Sequence, residues 1–230
     1  MVAKAELLKA TRERISLRGL ARVFGVGRKT IKQWFKTALQ ALPRFQASVQ
    51  PAQVHDVLEL DELWSFVGTK KHQVWLWIAL CRRTRQVVAY TLGDRSTQTC
   101  QQLYNNLPES YRTAQSYSDF WDAYKNVFPK ASHQALGKEA GQTNHVERWN
   151  NTLRQRMARF VRKTLSFSKS LAAHHMFTKW FIFHYNLECP SSCTWKPLPI
   201  FRGRKRSFHN SAFLSLKNSS KIVKNNSATP

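Results

Sequence analysis

The chain has 230 residues, with 37 Lys+Arg against 13 Asp+Glu, a formal net charge of +24 and a pI near 10.5. That length allows one moderate domain plus a small one, and the charge points to nucleic acid as partner, since counterion release rewards clustered Lys and Arg. The longest purely apolar run, residues 74–81, is far short of the ~20 residues that span a bilayer. With a charged N-terminus that lacks the apolar core of a secretion signal, this predicts a cytoplasmic protein, nucleoid-associated through DNA, with no membrane partner.

Residues 1–42 read as a small all-α domain. Leu17, Leu20, Ala21 and Phe24 follow the spacing of one apolar helix face, and Gly25-Val26-Gly27 breaks the pattern. A second helix follows with Ile31, Trp34 and Phe35 inward. Its outward set is Arg28, Lys29, Thr30, Lys32, Gln33 and Lys36. This is the pattern of a helix-turn-helix whose second helix enters the major groove. A helical hairpin with a solvated polar face is the alternative; the absence of any acid from the exposed set favours DNA.

Residues 43–55, with Pro43 and Pro51, read as a linker. Next come strand-like stretches at 57–67, 73–81 and 86–92, joined through 68–71 and 82–85 into an antiparallel meander. A helix is expected over 98–107 and short strands at 114–117 and 132–136. A long helix is expected over 143–160, with Val146, Trp149, Leu153, Met157 and Phe160 as its apolar stripe. Another is expected over 170–186. The fold class is therefore α/β, a mixed sheet flanked by helices over residues 56–188. Residues 189–230, rich in Ser, Asn, Lys and Arg, read as a disordered basic tail. The cysteines, Cys81, Cys100, Cys189 and Cys193, lack the spacing of a zinc site and read as thiols or packing residues.

Against this basic background three acids stand out. Asp61 sits mid-strand on the face of Glu59 and Leu63, where a carboxylate is costly unless paired or bound to metal. Asp119 follows the fourth strand. Glu147 lies near the start of the long helix, about 100° from its apolar stripe, and Asn150, Asn151 and Arg154 continue its face. Singly, Asp119 could cap a helix over FWDAYKNVF, and Glu147 could be a first-turn acid favoured by the helix dipole. Jointly, acids placed within a basic surface suggest a divalent metal held against a polyanion, as a nuclease or phosphoryl-transfer enzyme requires. Glu62 alternates to the opposite face, Glu59 could support the site, and His145 reads as a helix-surface residue.

The order strand acid, strand-end acid, helix acid is that of the RNase H-like fold. The separations, 58 positions from Asp61 to Asp119 and 28 from Asp119 to Glu147, are similar to those of DDE transposases. LELDELWSFVGTK, YSDFWDAY, NHVERWNNTLRQRMARF and VRKTLSFSKS closely resemble the insertion-sequence-1 family of transposases, and RGLARVFGVGRKTIKQW resembles its N-terminal DNA-binding segment. The resemblance implies a catalytic and metal-binding triad of Asp61, Asp119 and Glu147, holding two Mg²⁺ (or Mn²⁺) ions. It further implies cleavage at the ends of a mobile element and transfer of the exposed 3′-OH into target DNA. Arg148, Asn151 and Arg154 would contact that DNA, as would Arg156, Arg159, Arg162 and Lys163. Pairing two ends implies a homodimer or larger assembly.

Such transposases carry a cysteine zinc finger ahead of the helix-turn-helix, whereas the first cysteine here is Cys81. The tail resembles nothing in the family, which suggests a truncated or decayed copy whose catalytic residues survive. Two alternatives accompany the transposase reading. One is a catalytically inactive DNA-binding remnant or repressor, against which the intact triad speaks. The other is an RNase H-like nuclease without strand transfer, against which the helix-turn-helix speaks.

Overall fold

Alternating apolar residues on both faces of one meander build the centre of the molecule. In a computed structural model, which describes residues 4–189, β1 (Val57–Val67), β2 (Thr69–Cys81) and β3 (Val87–Gly93) form this antiparallel unit. Strands β4 (Gln115–Ser118) and β5 (His133–Ala135) add to it in parallel, giving the order β3-β2-β1-β4-β5. The β1–β2 turn is tighter than expected: residues 69–72 belong to β2, and Gly68 turns the chain at φ 72°. Lys70, Lys71 and His72 are exposed, and their polarity hides the strand in the sequence.

Both faces of the sheet are covered, so its central strands read as nearly continuous apolar runs. On one face Leu58, Leu60, Trp77 and Ala79 pack against α4 (Thr97–Asn106) and α5 (Asp122–Val127), through Cys100, Leu103 and Tyr124. Cys81 and Cys100 are buried, unpaired thiols there, and burial pushes Cys100 up to about 12. On the other face Leu63, Leu76, Ile78 and Leu80 pack against α6 (Asn144–Arg156) and α7 (Leu171–Glu188). Helix α6 is shorter than expected. Met157 turns extended (φ −118°, ψ 100°) and a 3-10 turn, Ala158–Phe160, follows. Val146, Trp149, Leu153, Met157 and Phe160 are all buried nonetheless, so the apolar stripe survives the change of helix type.

The SFSKS segment is a staple. Ser168 bridges Val67, and its carbonyl accepts the Gly68 N–H at 2.8 Å. The His174 ring lies between two hydroxyls, Ser168 Oγ at Nδ1 and Ser65 Oγ at Nε2, each at 3.0 Å. His174 is fully buried, and burial, with the Arg159 charge nearby, holds its pKa down at about 4. A neutral imidazole, donor on one nitrogen and acceptor on the other, suits two hydroxyls.

At the N-terminus α1 (Lys4–Ala10), α2 (Leu17–Phe24) and α3 (Arg28–Gln40) enclose Leu7, Leu20 and Ile31. Ser16 caps α2 by accepting the Gly19 N–H at 3.0 Å, and Gly25 ends it at φ 62°. Phe35 of α3 stacks on Phe177 of α7 at 4.4 Å and meets Trp180 edge-on at 5.4 Å. The segment read as a linker is docked. It contains a 3-10 turn, Phe45–Ser48, with Phe45 against Tyr90 at 5.1 Å. Gln50 is held by Gln86 (2.9 Å) and Tyr111 (3.0 Å). The expected tail, apart from Cys189 at the end of α7, lies outside the described residues, as does Cys193.

Candidate active site

The parallel pairing of β1 with β4 brings the first two acids level. Its last pair is Glu59 with Tyr117, so two residues further along lie Asp61 on β1 and Asp119 just beyond β4. Helix α6 crosses the same face and carries Glu147 in its first turn. Burial raises the Asp61 carboxyl to about 7, and the charges of Glu62, Asp119 and Glu147 add to the effect. Asp61 thus feels the charges of both other expected carboxylates.

Each is also held locally. Asp61 Oδ1 accepts the Glu62 N–H at 2.9 Å and Oδ2 accepts Asn150 Nδ2 at 2.6 Å. Asp119 Oδ1 accepts the Trp121 N–H at 3.1 Å just ahead of α5, close to the capping role the sequence allowed. Glu147 accepts Thr143 Oγ1 at 3.2 Å.

Two neighbouring acids have structural work. Glu59, fully buried, accepts the N–H groups of His145 and Val146 (2.8 and 3.0 Å), His145 Nδ1 (2.6 Å) and Arg82 Nε (2.8 Å). It anchors the N-terminus of α6, where the helix dipole favours an anion, and so sets the height of Glu147 above the sheet. Glu62, on the opposite face as alternation required, accepts the Tyr124 hydroxyl at 3.0 Å and Arg95 Nε at 2.8 Å. Burial and the Asp119 charge raise its carboxyl. The Arg95 guanidinium lies 3.9 Å over Trp121, joining Glu62 to the loop of Asp119. Sequence reasoning put Asn150 on the face of Glu147 without giving it a part in the site, and passed over Arg95. The three-residue step from Glu147 to Asn150 on one helix face was the available signal for the first; Arg95 had none.

Among the described residues no three His, Cys, Asp or Glu side chains are gathered tightly enough to form a cation site outright. The donor chemistry nonetheless suits a hard divalent cation, which takes oxygen ligands. Three carboxylates supply them, and Asn150 Oδ1 is buried with no hydrogen-bond partner. An orphaned carbonyl beside a carboxylate whose ionisation burial suppresses is an arrangement that a cation would satisfy.

The expected DNA contacts separate into groups. Arg148, Asn151, Arg162 and Lys163 are exposed. Arg154, half-buried, lies within reach of the Asp61 and Arg162 charges; burial and Arg162 lower its pKa. Arg156 is engaged by Glu13 (2.7 Å) and Glu188 (3.4 Å). Arg159 lies 3.7 Å over Phe177 and donates to Ser168 Oγ at 3.2 Å. On α3, Arg28, Lys29, Lys32 and Lys36 line a cleft, whereas Thr30 and Gln33 do not. The helical repeat places the two sets on different faces.

The fold and this grouping of acids define an α/β protein whose five-stranded sheet, flanked by helices, is consistent with an RNase H-like fold. The family described as IS1 transposase matches residues 55–186, more than half of the sequence, and the chain belongs to that family. It is 42% identical to the insertion element iso-IS1n protein InsB of Shigella dysenteriae over 126 residues, covering 55% of this chain and 93% of that protein. It is 38% identical to the IS1 protein InsB of Shigella flexneri, covering 50% and 86%. With the IS1 4 protein InsB of Escherichia coli K12 the identity is 37%, over 50% and 67%. A transposase role, with DNA as partner, accompanies this membership. Among the described residues no helix is long and apolar enough to cross a membrane.

Proposed function

We propose that the chain is a DDE-type transposase that cleaves DNA at the ends of a mobile element and joins the exposed 3′-OH to target DNA. The observation that carries this reading is the β1–β4 register, which levels Asp61 with Asp119, together with the Asn150–Asp61 hydrogen bond that ties the helix of Glu147 to the same strand. Those carboxylates, with Asn150 Oδ1, would hold Mg²⁺ or Mn²⁺, two ions in all. The bound ions would supply Lewis acidity for a phosphoryl transfer.

The chain's own groups orient the reactants. Asn150 holds Asp61, Glu59 holds α6, and Arg154, beside Asp61, is placed to receive the scissile phosphate. In the first step a water oxygen bonds to phosphorus and the P–O3′ bond breaks, leaving a 3′-OH on the element and the water's proton in solvent. In the second, that 3′ oxygen attacks a target phosphodiester in line and a target 3′ oxygen leaves. Phosphodiester bonds are conserved in this exchange, so no energy source is required. Helices α2 and α3 would serve as the helix-turn-helix that engages duplex ends, with Thr30 and Gln33 available to base edges and Arg28 and Lys29 to phosphates. Juxtaposing two ends calls for at least two copies of the chain.

A second reading, a DNA-binding remnant without catalysis, draws on the local hydrogen bonds that already occupy Asp119 and Glu147. One experiment separates them. Labelled DNA bearing the element's own end is incubated with Mg²⁺ or Mn²⁺ and either wild type or Asp119→Asn. Metal-dependent nicking and joining, both lost in the variant, support the transposase. Binding without cleavage in either protein supports the remnant.

A further inference from the structure

We propose that the cleft between α3 and the segment following α6 binds unpaired, single-stranded DNA, an inference that rests on the DNA-acting reading above. The cleft has a volume of about 990 Å³. Lys32 and Lys36 of α3 form one wall; Leu165, Phe167 and Lys169 form the other. Phe35 and Phe177, stacked on each other, floor it, with the Arg159 guanidinium over Phe177.

Charge selects a polyanion. Glu13 is the one acid among the described lining residues, and Arg156 already holds it at 2.7 Å. The chain's own tail does not match this charge. Beyond Glu188 it contains Lys and Arg and no acid.

Apolar exposure selects unpaired bases. Leu165 is 99% exposed and Phe167 only half-buried against Phe66, an arrangement that duplex phosphates alone would leave unused. Unstacked bases present faces that aromatic and apolar side chains cover, while lysines follow the backbone. The volume lies within the ~300–1,000 Å³ of ligand cavities, room for a few nucleotides and not for a duplex. Position agrees: Met157 and Arg159, which line the cleft, follow directly on the helix that carries Glu147, Asn150 and Arg154. A strand separated at the carboxylates and led along α6 would enter it.

The test is fluorescence anisotropy on the full chain carrying Asp119→Asn, without divalent metal. The probes are a labelled oligothymidylate of about 10 nucleotides, within the span of known single-strand sites, and a duplex of equal length. Leu165→Glu alters a fully exposed position; Phe167→Leu keeps bulk against Phe66 but removes the stacking ring. Each should weaken oligothymidylate binding by about tenfold, as loss of one stacked base does, and leave duplex binding within about twofold. Equal losses on both probes, or none on the single strand, would overturn the proposal. A tenfold gain on deleting residues 190–230 would overturn it too, by making the tail the occupant. Nicking and joining by the otherwise wild-type chain are read separately, so unaltered oligothymidylate binding alongside active strand transfer removes the cleft proposal and leaves the function intact.

Discussion

Asn150 donates through Nδ2 to Asp61 Oδ2 at 2.6 Å, while its own carbonyl oxygen is buried and without a partner. That pair links α6 to the middle of β1. Asp61 is pushed up to about 7 by burial and, to a lesser degree, by three neighbouring acids. An amide rather than a second carboxylate is what the pair requires, because it donates to one oxygen and offers another.

Asn150→Ala should therefore weaken Mn²⁺ binding by roughly 10–100-fold, the usual cost of removing a group that orients a metal ligand. Isothermal titration of Mn²⁺ reads this directly, without any turnover. Unchanged affinity would remove Asn150 from the site.

Glu59→Gln tests the anchoring of α6. The substitution keeps shape but leaves Arg82 and His145 without their anion. Arg82 is part-exposed and also donates to Gln142, so the loss is that of hydrogen bonds to a buried acceptor, about 1–3 kcal/mol, which urea unfolding would show as a lowered midpoint. A midpoint within experimental scatter of wild type would mean that α6 is held by its apolar stripe alone.

His174 should make stability pH-dependent on the acid side. Its folded pKa is about 4 against an ordinary ~6.5, so below the ordinary value the unfolded chain takes up a proton that the folded chain refuses. The contribution is complete above about pH 6.5 and is lost as pH falls towards 4, by at most about 3 kcal/mol. In urea unfolding at pH 7.5 and 4.5, His174→Gln should flatten the difference; parallel losses in both proteins would assign the acid sensitivity elsewhere.

Deleting residues 190–230 should leave duplex binding by the N-terminal helices intact. Electrophoretic mobility shift with the element end measures it. Loss of the shift would place essential DNA contacts in the tail.

Much of this was legible in the chain itself. Period-two alternation located β1 to the residue and put Glu62 on the face opposite Asp61, because a strand's side chains obey a strict repeat. The stripe from Val146 to Phe160 was found for the same reason, although the helix holding it ends at Arg156. Local chemistry also marked the end of α2, where Gly25 turns left-handed.

Other features were decided by tertiary structure alone. Sequence order says nothing of which strand lies beside β1; the parallel pairing with β4, formed across α4, levels Asp61 with Asp119. Glu59 and Glu62 flank Asp61 in one acidic run, yet each is neutralised by an arginine from a distant turn, Arg82 and Arg95. The exposed residues of α3 looked like one polar surface until the approach of residues 157–177 turned its lysines into the wall of a cleft. Periodicity and capping are local, set by bonds within a few residues. Charge compensation and enclosure depend on chain segments far apart in sequence, and only packing brings those together.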